Sequence, residues 1–290
     1  MKKKISYLLY KILLFFDKIF LFVIKKSFLI HFKDFLEIDS YRKILIQNTE
    51  TKFFVPNELT DWRVKTFFIK EPETLEWIDN FKKKKNLIFW DIGANIGLYS
   101  IYNALKNKDS STISFEPSSS NLRILSRNIY INNLENKVKI ISLPLSNKPN
   151  NFLKMNEANF TEGGALNTFG EKFNFEGKNF ESKMSYQILG TSINYLIDNK
   201  ILEVPDYIKI DVDGIEHLIL EGGNKYLANE KIDSLLIEIN ENFKEQYEKI
   251  LKIMQQNNFK ILHKKHNEEL FNKDSKYSKV FNYIFIRKKN

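Results

Sequence analysis

Three carboxylates crowd one short stretch of this 290-residue chain: Asp211, Asp213 and Glu216, in Ile208-Lys209-Ile210-Asp211-Val212-Asp213-Gly214-Ile215-Glu216. Acids packed this tightly repel one another. Repulsion and burial raise the proton affinity of at least one of them, which suits proton removal from a bound hydroxyl. The same groups could instead hold a divalent metal ion. For Asp213 and Glu216 the structural alternative is a helix cap. A second candidate region is Asp91-Ile92-Gly93-Ala94-Asn95-Ile96-Gly97, with Glu116 nineteen residues beyond Gly97. The spacing is D-x-G-x-x-x-G, whereas G-x-G-x-x-G is what brings a pyrophosphate to a helix N-terminus. A ligand without phosphates needs only a close backbone approach, at Gly93, and tight strand–helix packing, at Gly97. Asp91 could bind an ammonium group or orient the turn. Glu116 stands where a carboxylate accepts hydrogen bonds from both hydroxyls of a ribose.

Such residues work only if strand ends present them. Leu87 to Trp90 reads as a buried strand ending at Asp91, followed by a helix over Ile96 to Lys106. Thr112 to Phe115 is a strand ending at Glu116, and Asn121 to Asn133 a helix. Strands follow at Val138 to Leu143, Tyr207 to Ile210 and Leu235 to Ile239, with helices starting at Ile215 and running through Ile250 and Met254. Phe259 to His263 and Phe281 to Ile286 are candidates for an antiparallel pair. The alternation predicts an α/β fold, a mostly parallel sheet with helices on both faces and ligands beyond the carboxyl ends of the strands. By position, Ser142 and Leu143 at the end of the third strand flank the base of a nucleoside. Residues 147–203 break the alternation with Gly163-Gly164, Gly170, Gly177 and many Asn, and read as a flap-like insertion facing the ligand. Ahead of the core, 1–50 reads as a basic, amphipathic, mostly helical extension. Residues 51–85 form a lead-in, with strands at Lys52 to Pro56 and Val64 to Ile69 and a helix opened by Pro72. The main domain is 86–290.

Formal net charge is +9, but the lysines are scattered and no arginine-rich stripe with interleaved aromatics exists, so nucleic acid is not an expected partner. The absence of Cys excludes disulfides, thiolate metal sites and a thiol nucleophile, and suits a reducing compartment. Residues 5–30 are rich in Leu, Ile and Phe, but Lys11, Asp17, Lys18, Lys25 and Lys26 interrupt them. No uncharged run there approaches the roughly 20 residues of a spanning helix. A helix lying on an anionic membrane surface and a helix packed on protein both fit. The expected location is the cytoplasm, or the inner face of its membrane. His217, beside Leu218 and Leu220, reads as a structural helix residue, and His263 and His266 lack acidic neighbours at metal spacing. Oligomeric state leaves no mark in the sequence.

Phe89-Trp90-Asp91-Ile92-Gly93-Ala94-Asn95-Ile96-Gly97-Leu98-Tyr99-Ser100 resembles the opening motif of FkbM-type methyltransferases. Phe115-Glu116-Pro117 followed by Asn121, Leu125, Asn128 and Asn132 is similar to the same family, as are Ile208 to Glu216 and Leu235 to Glu238. The resemblance spans about residues 70–240. It implies a class I methyltransferase fold with a seven-stranded sheet, S-adenosylmethionine as cofactor, and a sugar, glycolipid or secondary-metabolite hydroxyl as acceptor. The expected cofactor residues are then Asp91, Gly93, Ala94, Asn95, Gly97, Glu116, Ser142 and Leu143. Asp211, Asp213 and Glu216 are the expected catalytic residues. Two departures concern the acceptor side. Asp213 stands where the family usually has Glu, and Thr191-Ser192-Ile193-Asn194 lacks the acid of the usual Thr-x-Asp. The competing functions are a nicotinamide-dependent oxidoreductase, disfavoured by the glycine spacing, and a non-catalytic nucleoside-binding module.

Overall fold

A computed structural model describes residues 2–267 and 275–288. The chain divides into two units, Met1–Arg42 and Lys43–Asn290. The first holds two helices, α1 (Lys2–Ile24) and α2 (Leu29–Asp39). The helical stretch ends there, short of residue 50. Strand β1 (Tyr41–Ile46) follows and pairs with β2 (Thr49–Phe54) across Gln47-Asn48, both at positive φ. A two-residue hairpin turn of this hand requires that conformation, and Asn tolerates it well.

Val64 to Ile69 is helical, contrary to the strand its β-branched and aromatic residues suggest. The Asn57 side chain accepts from the Thr60 N–H at 2.9 Å while the Thr60 hydroxyl accepts from the Asn57 N–H at 3.3 Å. This reciprocal cap starts α3 (Glu58–Lys65), and the chain turns through Thr66 into α4 (Phe67–Lys70) and α5 (Pro72–Asp79). A satisfied helix start outweighs weak local β preference.

The main sheet is built from β3 (Leu87–Ile92), β4 (Ser110–Phe115) and β5 (Val138–Ile141), with helices α6 (Leu98–Lys106) and α7 (Ser119–Ile131) between them. Next come β6 (Phe152–Glu157), β7 (Thr168–Phe169) and β8 (Met184–Leu189), a separate three-stranded antiparallel sheet within the stretch that breaks the strand–helix alternation. A bridge between Leu145 and Thr191 ties it beside the β5 edge. Helix α8 (Ile193–Asp198) buries Ile193 and Leu196, so the chain re-enters the core before residue 203. Then follow β9 (Tyr207–Ile210), α9 (Glu216–Glu221), α10 (Asn224–Leu227), β10 (Ser234–Asn240), α11 (Lys244–Gln256), β11 (Phe259–Lys265) and β12 (Val280–Arg287).

The sheet order is β11-β12-β10-β9-β3-β4-β5. The pairs β4–β5, β3–β4, β3–β9 and β9–β10 are parallel, and β12 runs antiparallel to both neighbours. This is the expected seven-stranded, mostly parallel class I architecture. Trp90, Ile92, Ile113, Ile208, Ile210, Leu235 and Ile237 share one face of the sheet and one core, while Leu87, Phe89 and Leu236 are buried on the opposite face. A strand buried on both faces reads as a continuous apolar run. Strand order reverses between β3 and β9, which puts the carboxyl ends of those two strands side by side and opens a crevice there.

Candidate functional site

The turn after β3 is shaped by what lies beside it. Gly93 has φ 86°, and a Cβ there would stand 1.8 Å from the Asp211 carbonyl oxygen. Its freedom therefore serves the approach of β9 as much as any ligand. Gly97, at φ 88°, would collide with Leu125 Cδ1 at 2.6 Å, so it packs α6 against α7 rather than against its own strand. Gly93 and Ala94 both donate N–H bonds to the Phe115 carbonyl at 3.0 Å, locking the turn to the end of β4.

Glu116 stands at that strand end. Its two oxygens accept from the backbone N–H groups of Asn95 at 2.7 Å and Ser118 at 2.9 Å. Burial pushes its carboxyl up to about 8, partly offset by those bonds. Each carboxylate oxygen keeps lone-pair capacity beyond one bond. Glu116 lines a cavity of about 590 Å³ with Gly93, Asn95, Leu143 and Asp211.

Three of the expected cofactor residues stand differently. Asp91 is fully buried and lines no cavity described; it accepts from Ser100 Oγ at 2.6 Å, and burial pushes its carboxyl up. Through Oδ2 it orients the β3–α6 junction, while its Oδ1 is buried without a partner. Ala94 lines a second cavity beside the first. Ser142 is exposed and outside the cavity wall, because β5 ends at Ile141 and the chain turns away; Leu143, Pro144 and Leu145 form that wall.

The acid block separates in the same way. Asp211 lines all three neighbouring cavities, and its Oδ2 accepts from Lys209 Nζ at 2.7 Å. Lys209 is 1% exposed. Burial opposes its charge, but Asp211, Asp91 and Glu71 hold its pKa above the usual range. Asp213 adopts φ 64°, lines the first and third cavities, and accepts from the Leu166 N–H at 2.6 Å. Burial and the neighbouring Asp211 push its carboxyl up to about 6.

Glu216, expected among the catalytic acids, faces away. It accepts from the N–H groups of Val212 at 3.1 Å and Gly214 at 3.1 Å and from the Gln246 amide, and lines no cavity described. Unpaired N–H groups of the β9–α9 turn draw the carboxylate inward, so it is a cap that holds the turn carrying Asp213. His217 is buried against Phe173 and Phe243, as its apolar neighbours suggest.

The second and third cavities, about 470 and 1310 Å³, bring in Arg63, Lys70 and Glu71, which have no sequence signal of their own, and Glu238, the last residue of the family-like stretch Leu235 to Glu238. Lys70 pairs with Glu71, whose other oxygen accepts from Tyr99 Oη at 2.7 Å. Burial pushes Glu71 up, but the charges of Lys70 and Lys209 outweigh it and hold the carboxyl at about 2. Glu238, at the end of β10, lines the third cavity with Asp211, Asp213, Arg63 and Trp62. Burial and the charges of Asp211, Glu71 and Asp213 push its carboxyl well above the ordinary range. His266, given no role from sequence, also lines this cavity and stacks on Phe281.

The insertion roofs the site. Asn95 and Asn121 donate side-chain bonds to the Gly164 carbonyl at 2.8 and 3.0 Å. Asn121 Oδ1 accepts from the Gly163 N–H at 2.8 Å, and Arg63 Nε donates to the Gly163 carbonyl at 2.6 Å. Asn128 and Asn132 instead bind the backbone of β2 at Phe54 and Lys52. Thr191 to Asn194, the departure from the family pattern, lies outside the three cavities, with Ser192 capping α8. Among the described residues no group of three or more His, Cys, Asp or Glu side chains could hold a metal ion.

A model of the FkbM methyltransferase domain matches residues 91–261. The chain is 30% identical over 175 residues to methyltransferase sdnD of Sordaria araneosa, covering 54% of this chain and 68% of that protein. Among solved structures, the FkbM methyltransferase of Methylobacillus flagellatus KT shares 14% identity, at a TM-score of 0.46 over 71% of this chain and 45% of that one. M. jannaschii TYW2, in complex with AdoMet, shares 15% identity, at a TM-score of 0.41 over 86% and 87%. The sheet order and the cavities at its carboxyl ends define a class I methyltransferase. The chain belongs to the FkbM methyltransferase family, and it is an S-adenosylmethionine-dependent methyltransferase.

Proposed function

We propose that the chain methylates a hydroxyl of a sugar, glycolipid or secondary-metabolite acceptor. One observation carries this reading: three cavities meet at Gly93, Asn95 and Asp211. One suits a nucleoside, one an amino acid, and the widest an acceptor. The residues fit the cofactor. Asn95 Oδ1 and Thr168 Oγ1 are buried at the first cavity without a hydrogen-bond partner, which leaves them to a ligand. Glu116 would take the ribose hydroxyls, and Leu143, Pro144 and Phe115 would enclose the base. In the second cavity Arg63 and Lys70 would meet the carboxylate of the methionine moiety, and Glu71 its ammonium.

When bound, S-adenosylmethionine supplies an electrophilic methyl group on a sulfonium. The transfer is an in-line displacement, so positioning is most of what the chain contributes. Asp213, held by the Leu166 N–H and with a proton affinity near neutrality, takes the acceptor proton. Asp211, fixed by its ion pair with Lys209, stands at the meeting point of the cavities. Glu238, whose carboxyl burial and the neighbouring acids push up, faces the acceptor cavity and would hydrogen-bond an acceptor oxygen. Carboxyl groups beside Trp62 and Tyr277 suit a polyhydroxylated ring.

The test is transfer of labelled methyl from S-adenosylmethionine to polysaccharide, lipid and nucleic-acid fractions. Label in a carbohydrate-containing fraction, stable as an ether, is the expected result. Label confined to nucleic acid would overturn the acceptor class.

A further inference from the structure

We infer that α1 is an anionic-membrane docking surface, lying along the bilayer surface rather than crossing it. Lys4, Lys11, Lys18 and Lys25 recur every seven residues. Seven residues are nearly two turns of an α-helix, so the first three form one line along α1, and Lys25, at φ 60°, follows just past the helix end. Beside that line Leu8, Leu9, Ile12, Phe15, Phe16 and Ile19 are each 46 to 61% exposed, and within it Lys11 and Lys25 lie over the exposed rings of Tyr7 and Phe22. A patch of that size is unusual on a surface that meets only water.

The helix carries one acid, Asp17, and the fold withdraws it. Asp17 is 7% exposed and accepts from Ser27 Oγ at 2.9 Å and from the N–H groups of Phe28 and Leu29 at 2.8 and 3.1 Å. It thereby caps the start of α2 and stops α1 against it. What α1 leaves outside is a cationic line beside an apolar face, the pattern of a helix that buries its apolar side among lipid headgroups. Helix α2 also exposes Ile30, Phe35, Leu36 and Ile38, but it sets Asp34, Glu37 and Asp39 against the single Lys33, so the cationic surface is confined to α1. Among the described residues no helix is long and apolar enough to cross a membrane. A protein partner would also cover an apolar face, but it would not require lysines at a fixed repeat beside it.

The experiment is vesicle flotation of the full chain, with phosphatidylcholine alone and with about a third phosphatidylglycerol. Anionic vesicles are expected to bind at least tenfold more tightly, with the preference fading in about 0.5 M salt. Substituting all four lysines, Lys4→Gln with Lys11→Gln, Lys18→Gln and Lys25→Gln, should weaken binding on the order of 100-fold. The matching Lys→Arg variant should bind as the parent does, which separates charge from folding. Because the chain has no cysteine, spin labels can be placed singly at Phe16→Cys and Lys11→Cys. On anionic vesicles the label at 16 should be shielded from an aqueous relaxation agent and the label at 11 accessible. Equal binding to both vesicles, parental binding by the Gln variant, or equal accessibility of both labels would overturn the inference. So would self-association through α1 without vesicle binding.

Discussion

Two strand–helix junctions of the sheet carry a buried glutamate with similar ligation and opposite surroundings. Glu116, after β4, accepts from two backbone N–H groups; Glu216, after β9, does the same and adds the Gln246 amide. Burial pushes both carboxyls up, to about 8 and about 7. Only Glu116 opens onto a cavity. Raised proton affinity and backbone ligation are therefore shared by a ligand-facing acid and a structural one. What separates them is whether unused lone pairs point into space a ligand can fill.

The comparison breaks most visibly at the residue that Glu216 positions. Asp213→Asn should lower methyl transfer by about 100-fold or more, the usual size of a general-base effect. In the parent, the rate should rise with pH through about 6 as Asp213 loses its proton, and the variant should lose that rise. A rate profile flat from pH 5 to 8 in the parent would remove Asp213 from proton transfer.

Glu116→Gln should weaken S-adenosylmethionine binding by about 50-fold, because one acceptor oxygen for the ribose hydroxyls is replaced by an amide NH2 in a buried site. It should not weaken the ligand-free fold. The folded-state pKa of Glu116 is about 8 against an ordinary 4.5, so its burial lowers stability progressively as pH rises between those values. Removing the charge should raise ligand-free stability at pH 8 by about 1–3 kcal/mol, and change nothing below pH 4.5. Thermal melts at both pH values measure this.

Glu216→Ala should show the opposite. Leaving the Val212 and Gly214 N–H groups and the Gln246 amide without their acceptor should cost about 2–3 kcal/mol of stability, with cofactor affinity within about threefold of the parent. The smallest effect belongs to Ser142→Ala, whose exposed side chain lies outside the cavity; cofactor affinity should be unchanged within error.

The strand–turn–helix units were legible because each buried strand is a short apolar run ending in a distinctive acid or glycine. Asp91, Gly93, Gly97, Glu116 and Asp211 all fall at such ends. Leu143 was legible by position, whereas Ser142 was misplaced by the ending of β5 at Ile141. Glu216 was misread because sequence spacing cannot tell which way a carboxylate turns at a helix start. Arg63, Lys70 and Glu71 carry no motif and reach the cavities only through the packing of α3 and α4, whereas Glu238 was visible only as the last residue of a family-like strand. The strand expected at Val64 to Ile69 failed for a related reason. A cap seven residues upstream decided that segment, and local composition pointed the other way.

Calorimetric titration of S-adenosylmethionine into Glu116→Gln and Asp213→Asn, side by side, tests most directly whether donor and acceptor duties are divided between the two junctions. The division predicts binding weakened by about 50-fold in the first and within about threefold of the parent in the second. Parental affinity in Glu116→Gln together with lost binding in Asp213→Asn would contradict it.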